Sequence, residues 1–212
     1  MIFTEFLNYI PKIAKENLIG EEAHQKMSPP ERLQFIKQND PATFNPRKAA
    51  VLMLFYPKDL QTHLVLILRN TYTGVHSSQI GFPGGKVEVY DSSMEATALR
   101  ETHEEIGISP DQISVVKAFS EIYIPPSNFS VMPFLGYSQN ELIFKPDPRE
   151  VSGIIELPLV DFLDEKNFTT QILETSYMKA IEIPVFKFGE KVVWGATGMM
   201  MNELKEVLKK VL

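Results

Sequence analysis

Four residues in one short run carry the most legible chemistry of this chain: Arg100, Glu101, Glu104 and Glu105. Glu104 and Glu105 lie three and four residues beyond Glu101, so on a helix the three carboxylates converge on one side. Like charges so placed repel unless lysines, arginines or cations neutralise them. Carboxylate oxygens are hard ligands that suit Mg2+ or Mn2+, with several positions left to water. A pair of such cations can bridge a pyrophosphate and lower the pKa of an attacking water. An exposed acidic helix kept for solubility has the same composition, and short acidic clusters of that kind are common. The preceding GFPGGKVEVYDSSMEATAL favours chemistry. Gly84 and Gly85 permit a tight turn back onto the carboxylate face, where the Gly85 carbonyl can complete a metal shell. A helix needed only for solubility requires no such turn.

The run RETHEEIGI, with a glycine ahead of it, resembles the signature of the Nudix hydrolase family. Thr102 stands where that pattern has an apolar residue, and fourteen residues separate Gly85 from Arg100, one more than the pattern has. The pattern's intermediate glutamate is missing; Asp91 or Ser92 occupies its neighbourhood. Within the family, LILRNTYTGVHSSQIGFPGGK, TALRE, DPREVSGIIELPL and VVWGATGMM resemble the coenzyme A pyrophosphatase branch. PPSNFSVMPFLGY lacks the threonine- and glycine-containing form of that branch's middle motif. The likeness runs from about Arg47 to Met200.

That resemblance implies a divalent-metal-dependent hydrolase, with Mg2+ or Mn2+ held by Glu101, Glu104, Glu105 and the Gly85 carbonyl. Coenzyme A or acyl-coenzyme A would yield 3',5'-ADP and (acyl-)4'-phosphopantetheine. ADP-ribose or a dinucleotide is the alternative substrate, and a non-catalytic nucleotide-binding regulator is the alternative class. Arg100 is expected to orient a carboxylate rather than touch substrate. Glu150 is a candidate ligand or water-activating group, with an ordinary loop glutamate as the competing reading. His76 and Gln79 lie where a phosphate or ribose can meet them, although His76 can equally pin its own loop. Arg69 and Lys86 are candidate phosphate contacts, against a solvent-facing alternative. His103 is assigned to solvent or packing, and Trp194 to core packing rather than adenine stacking. Phe129 and Met132 either line an apolar arm pocket or fill the sheet.

The elements that position these groups follow from periodicity. Met94, Ala98, Thr102 and Glu105 form one stripe of a helix from about Ser92 to Ile106, with Gly107 as its stop. The runs 49–56 and 62–70, joined by PKDLQ, predict a hairpin of central strands covered on both faces. Strands are also expected over 112–124, over 129–138 as one strand or two, and as a pair at 180–189 and 191–196. ELIFKPDPREVSGIIELPL reads as a short strand turning into a polar loop, with one helical turn near Glu150. MMMNELKEVLKKVL predicts a terminal amphipathic helix, its late lysines favouring the dipole. Ahead of the strands, residues 2–16 predict a kinked helix or two short pieces around Pro11, and Ser28 is the expected cap of a helix after Pro29-Pro30. The result is an α/β layered fold with a mixed sheet, which the resemblance identifies with the Nudix α/β/α sandwich. Residues 1–46 are expected as a helical extension packed on a Nudix domain over 47–212.

Composition bounds the rest. The chain has 212 residues and is 44% hydrophobic, enough for one sizeable core. Its 21 Lys and Arg against 27 Asp and Glu give a net charge of -6, which offers no drive towards nucleic acid or an anionic membrane. A small nucleotide-containing substrate remains the expected partner. Cysteine is absent, excluding disulfides, thiolate nucleophiles and Cys-ligated zinc. No signal-like run and no span of about 20 apolar residues occurs, so a cytoplasmic protein is expected. A homodimer is the family-level expectation.

Overall fold

The computed structural model describes residues 1–70, 79–175 and 178–212. Four short helices come first: α1 (Phe3–Leu7), α2 (Ile10–Lys15), α3 (Glu21–Gln25) and α4 (Pro30–Gln38). Strands β1 (Arg47–Lys58), β2 (Gln61–Arg69), β3 (Ile80–Gly81) and β4 (Gly84–Lys86) lead into α5 (Met94–Ile106). Then follow β5 (Ser114–Ala118), β6 (Ile122–Ile124), β7 (Phe129–Tyr137), β8 (Val151–Pro158) and α6 (Leu159–Leu163). The chain closes with β9 (Phe168–Thr175), β10 (Met178–Phe188), β11 (Lys191–Val193) and α7 (Gly195–Val211).

β1 organises the main sheet. It runs antiparallel to β2 and β4 and parallel to β7, so the sheet is mixed as expected. Its side chains alternate between two cores because successive residues of a strand face opposite sides. Ala50, Leu52, Leu54 and Tyr56 meet Ala98 and Ile106 of α5, while Val51, Met53 and Phe55 meet Phe6, Phe162 and Leu204 on the other side. Both strand faces are therefore buried, which explains the near-continuous apolar run. The arrangement is helix, sheet, helix: α5 on one face, with α1, α2 and α7 on the other. Burying a side chain such as Ile106 contributes about 1.5–3 kcal/mol. A smaller antiparallel sheet, β11-β10-β9, stands beside the main one.

Several expectations change in detail. Pro11 falls in the first turn of α2, where its missing N–H costs nothing, so residues 2–16 form two helices. Ser28 does not cap α4; its hydroxyl donates to the His24 carbonyl at 2.9 Å and to Met199 Sδ at 3.0 Å, and Pro29 takes the cap position. The region 112–124 divides into β5 and β6, and 129–138 is one strand. The strand expected near 141–144 is absent; β8 lies further on and pairs antiparallel with β2. β9 extends the predicted β10–β11 pair to three strands. Among the described residues no helix is long and apolar enough to cross a membrane.

Candidate active site

Helix α5 presents the acidic run. Ser93 caps it by accepting from the Ala96 N–H at 3.0 Å, and Gly107 ends it in the left-handed region at φ 75°. Ala98, Thr102 and Ile106 anchor one face in the core. That leaves Glu101 and Glu105 along the edge where β4 passes.

Two adjacent glycines let β4 come close, for different reasons. Gly84 has φ 147°, and a Cβ there would stand 2.3 Å from the Ala50 carbonyl oxygen. A Cβ at Gly85 would stand 2.5 Å from the Glu101 carboxylate. The first glycine is required by the fold of the turn. The second is required by the side chain it faces.

Glu105 is 1% exposed and held from two sides. Arg69 Nη1 donates to its Oε1 at 3.1 Å, and the Gly84 N–H donates to Oε2 at 2.8 Å. Arg69 Nη2 also donates to the Gly84 carbonyl at 2.9 Å, closing a small ring between β2, β4 and α5. Burial pushes the Glu105 carboxyl up to about 7, although Arg69 and the Gly84 N–H pull the other way, while Glu101 and Glu150 add to the rise. Glu101 is raised for the same leading reason, burial, partly offset by Arg100 and reinforced by Glu104 and Glu150. Two neighbouring carboxylates thus carry negative charge that their arginines only partly balance.

Arg100 is a clamp. Its Nε and Nη2 reach the two oxygens of Asp91 at 2.8 and 2.9 Å, and Nη2 also donates to the Lys86 carbonyl at 3.0 Å. Nη1 meets Glu101 at 2.9 Å and Glu104 at 2.8 Å. Asp91 also accepts from the Glu88 N–H at 2.9 Å and Thr97 Oγ1 at 2.8 Å. The hydrogen bonds from Arg100 hold its carboxyl far below the usual range, against a smaller opposing effect of burial. Of the two residues left open by the spacing, Asp91 is the one under the arginine; Ser92 is not.

The remaining candidates divide between two places. Glu150 follows a turn tied to α5, since the Asp147 N–H donates to the Glu105 carbonyl at 3.0 Å. Its charge acts on both Glu101 and Glu105. Arg69, Gln79, Gly85, Lys86 and Phe129 all line a cavity of about 490 Å³ that opens beside the glycine turn. Trp194, expected in the core, lines it too, at the cap position of α7. Met132 packs on the opposite face with the α5 cluster. His103 is exposed, as expected, and His76 lies outside the described residues. The cavity's remaining wall was not foreseen: Pro29, Arg32 and Phe35, from α4 and the residue before it.

The NUDIX domain family model matches residues 46–174, a segment that contains the clamp, the glycine turn and the acidic helix. The chain belongs to the Nudix hydrolase family. It is 32% identical over 167 residues to "Nudix hydrolase 22, chloroplastic" of Arabidopsis thaliana, covering 76% of this chain and 55% of that relative. It is 34% identical over 179 residues to "Uncharacterized Nudix hydrolase NudL" of Shigella boydii, covering 82% and 89%. The match to the plant protein thus spans little more than half of that relative's length. Among solved structures, a MutT/nudix family protein from Enterococcus faecalis aligns with TM-score 0.55 at 18% identity, covering 92% of this chain and 76% of that one. RenU of M. Smegmatis aligns with TM-score 0.53 at 15% identity, covering 79% and 88%. These structural likenesses speak to the fold.

Membership in the family implies dependence on a divalent cation. Among the described residues no three acidic or imidazole side chains already form a cation cage, because Arg100 sits between Glu101 and Glu104. The donor set nonetheless fits: carboxylate oxygens and the Gly85 carbonyl are hard ligands. The raised carboxyls of Glu101 and Glu105 show where added positive charge would be most favourable.

Proposed function

We propose that this chain hydrolyses the diphosphate linkage of coenzyme A or acyl-coenzyme A, releasing 3',5'-ADP and (acyl-)4'-phosphopantetheine. The observation that carries the reading is continuity: Gly84, Gly85 and Lys86 belong both to the turn facing the acidic helix and to the rim of the 490 Å³ cavity. A diphosphate lying across that turn would leave one end of its molecule over the cavity. The cavity is lined mostly by apolar side chains, which suits a long, weakly polar group better than a ribose.

Glu101, Glu104, Glu105 and the Gly85 carbonyl would hold Mg2+ or Mn2+, which supplies Lewis-acid polarisation of the phosphoryl group and activation of water. Arg100, fixed by Asp91, positions Glu101 and Glu104. Arg69 and the Gly84 N–H fix both oxygens of Glu105. Without a cation, burial raises the Glu105 carboxyl to about 7, and a bound cation would offset that cost and favour the ionised form as a ligand. Lys86 at the rim can meet a phosphate oxygen, and the charge of Glu150 acts on both Glu101 and Glu105.

The test is a hydrolysis panel with added Mg2+ or Mn2+ and identification of products. Coenzyme A should be split to 3',5'-ADP and 4'-phosphopantetheine, and a chelator should stop the reaction. Cleavage of ADP-ribose or a dinucleotide with coenzyme A left intact would reject the substrate. Nucleotide binding without any cleavage would point to a regulatory protein, a role compatible with Arg100 already occupying two of the carboxylates.

A further inference from the structure

The cavity has a wall that the family segment does not supply. Residues 46–174 match the family, yet Arg32 and Phe35 of α4 line the cavity together with Phe129 of β7, and Trp194 and Met199 at the start of α7. Arg32 has only 9% of its side chain exposed. Its Nη1 donates to Ser28 Oγ at 3.0 Å and pairs with Glu21 at 3.3 Å. Its Nε is buried without a hydrogen-bond partner among the described residues. A buried donor left without a partner is costly, so a guanidinium N–H on a cavity wall is a place where a bound molecule gains by supplying an acceptor.

We propose that this cavity receives the uncharged, amide-bearing arm of the substrate, with Arg32 Nε donating to a carbonyl oxygen of that arm. The assignment rests on the diphosphate reading above and names the part of the molecule that the N-terminal helices select. Three features choose this occupant. The guanidinium charge is already answered by Glu21, so the open need is for a neutral acceptor rather than a second anion. Beside the aromatic Phe35, Phe129 and Trp194, the walls carry the aliphatic and thioether groups Val51, Ile80, Met199 and Met200, which adapt to a flexible chain. The volume, about 490 Å³, falls in the range of small-molecule sites and exceeds what a single phosphate needs.

The experiment uses the full chain labelled with 13C at methionine methyls, without added metal, titrated separately with pantetheine and with 3',5'-ADP. Pantetheine should shift the Met199 and Met200 methyl signals saturably. Arg32→Met should weaken that binding roughly tenfold or more, the size of one lost hydrogen bond from a charged donor to a neutral carbonyl. Glu21→Ala, which removes the ion pair but keeps the Nε donor, should bind pantetheine like the parent and controls for loosening of α4. Shifts produced by 3',5'-ADP in place of pantetheine would overturn the assignment, because the nucleoside end would then fill the cavity. No methyl response to either compound would overturn it as well, whether or not Arg32→Met folds. Hydrolysis is scored apart: pantetheine bound at these methyls with coenzyme A uncut would sink the proposed reaction and leave the cavity assignment standing. Coenzyme A cut without a methyl response would do the reverse.

Discussion

Arg69 and Glu105, thirty-six residues apart, meet at 3.1 Å, and the same arginine holds the Gly84 carbonyl at 2.9 Å. One guanidinium therefore ties the end of β2 to the glycine turn and to the acidic helix. It cannot do this and also neutralise Glu105 fully: burial still holds the carboxyl at about 7. The site keeps a carboxylate whose geometry is fixed but whose charge is unsatisfied, an arrangement that a cation relieves.

Glu105 should make the metal-free protein less stable as pH rises. Its folded pKa, about 7, lies above the ordinary value of 4.5, so the native state binds the extra proton between these limits. Stability is then highest below the ordinary value and falls as pH climbs through about 7, by up to about 3 kcal/mol. Calorimetry in a chelator should show Tm declining over that window, and Glu105→Gln should flatten the decline. The same variant should lose roughly 10²-fold or more in turnover while staying folded. An unchanged turnover would remove Glu105 from the machinery.

The two glycines of the turn should fail differently. Gly84→Ala forces a side chain into a backbone carbonyl at 2.3 Å and into an unfavourable φ, so it should destabilise by several kcal/mol and lower soluble yield. Gly85→Ala meets first the Glu101 carboxylate, at 2.5 Å, a side-chain end that can swing away. That variant should keep its Tm within a few degrees and lose most of its activity. Thermal unfolding and hydrolysis of both variants, measured side by side, separate the roles; equal losses of stability would refute the distinction.

How much of this was readable beforehand depended on what kind of interaction set each feature. α5 and the β1–β2 hairpin are local: a stripe at helical spacing, a serine cap, a glycine stop, two apolar runs and a short turn. β8 was missed because Gly153, Glu156 and Pro158 make it a poor strand by composition; what holds it is pairing to β2 far back in the chain. Ser28 resembles a cap, yet the His24 carbonyl one turn back and the distant Met199 claim its hydroxyl. At the site, the acidic run and the glycine turn were legible from spacing. The share of Arg32 and Phe35 in the cavity was not, since it arises only in the folded chain, where α4 brings Phe35 against Tyr123 of β6.

Asp91 should act through Arg100 rather than on substrate. Asp91→Asn removes one charged partner of the clamp and frees the guanidinium to lie fully on Glu101 and Glu104. Activity should fall roughly 10–100-fold, the size expected when the partner of a metal-binding group is lost. More metal should be needed for half-maximal rate, with KM for the nucleotide little changed. Because the Asp91 carboxyl is held well below its usual range by Arg100, its stabilising effect is present at neutral pH and disappears only in strong acid. A variant whose nucleotide KM rises while its metal requirement is unaltered would place Asp91 at the substrate instead.

Glu203 of α7 should govern the cavity from a distance by holding the N-terminal helices down. Its buried carboxylate accepts from the Gly20 N–H at 2.8 Å, Ser120 Oγ at 2.6 Å and the Ser120 N–H at 3.2 Å, and faces His24 Nε2 at 3.3 Å. Burial alone would raise this carboxyl, but the hydrogen bonds from His24, Ser120 and Gly20 together outweigh it and leave it lowered. A lowered carboxyl stabilises above its ordinary pKa and loses that effect as pH falls through the folded value, so acid should loosen this clasp. Glu203→Leu leaves the Gly20 and Ser120 donors buried without an acceptor, at a cost of roughly 2–4 kcal/mol. Since α4 follows directly from the clasped segment and walls the cavity, the variant should show faster proteolysis before β1 and a raised KM for coenzyme A. Its kcat should stay within a few-fold of the parent, because the acidic helix lies on the opposite face of the sheet. A fall in kcat with KM unchanged would mean that the clasp supports the reacting groups and not the cavity wall.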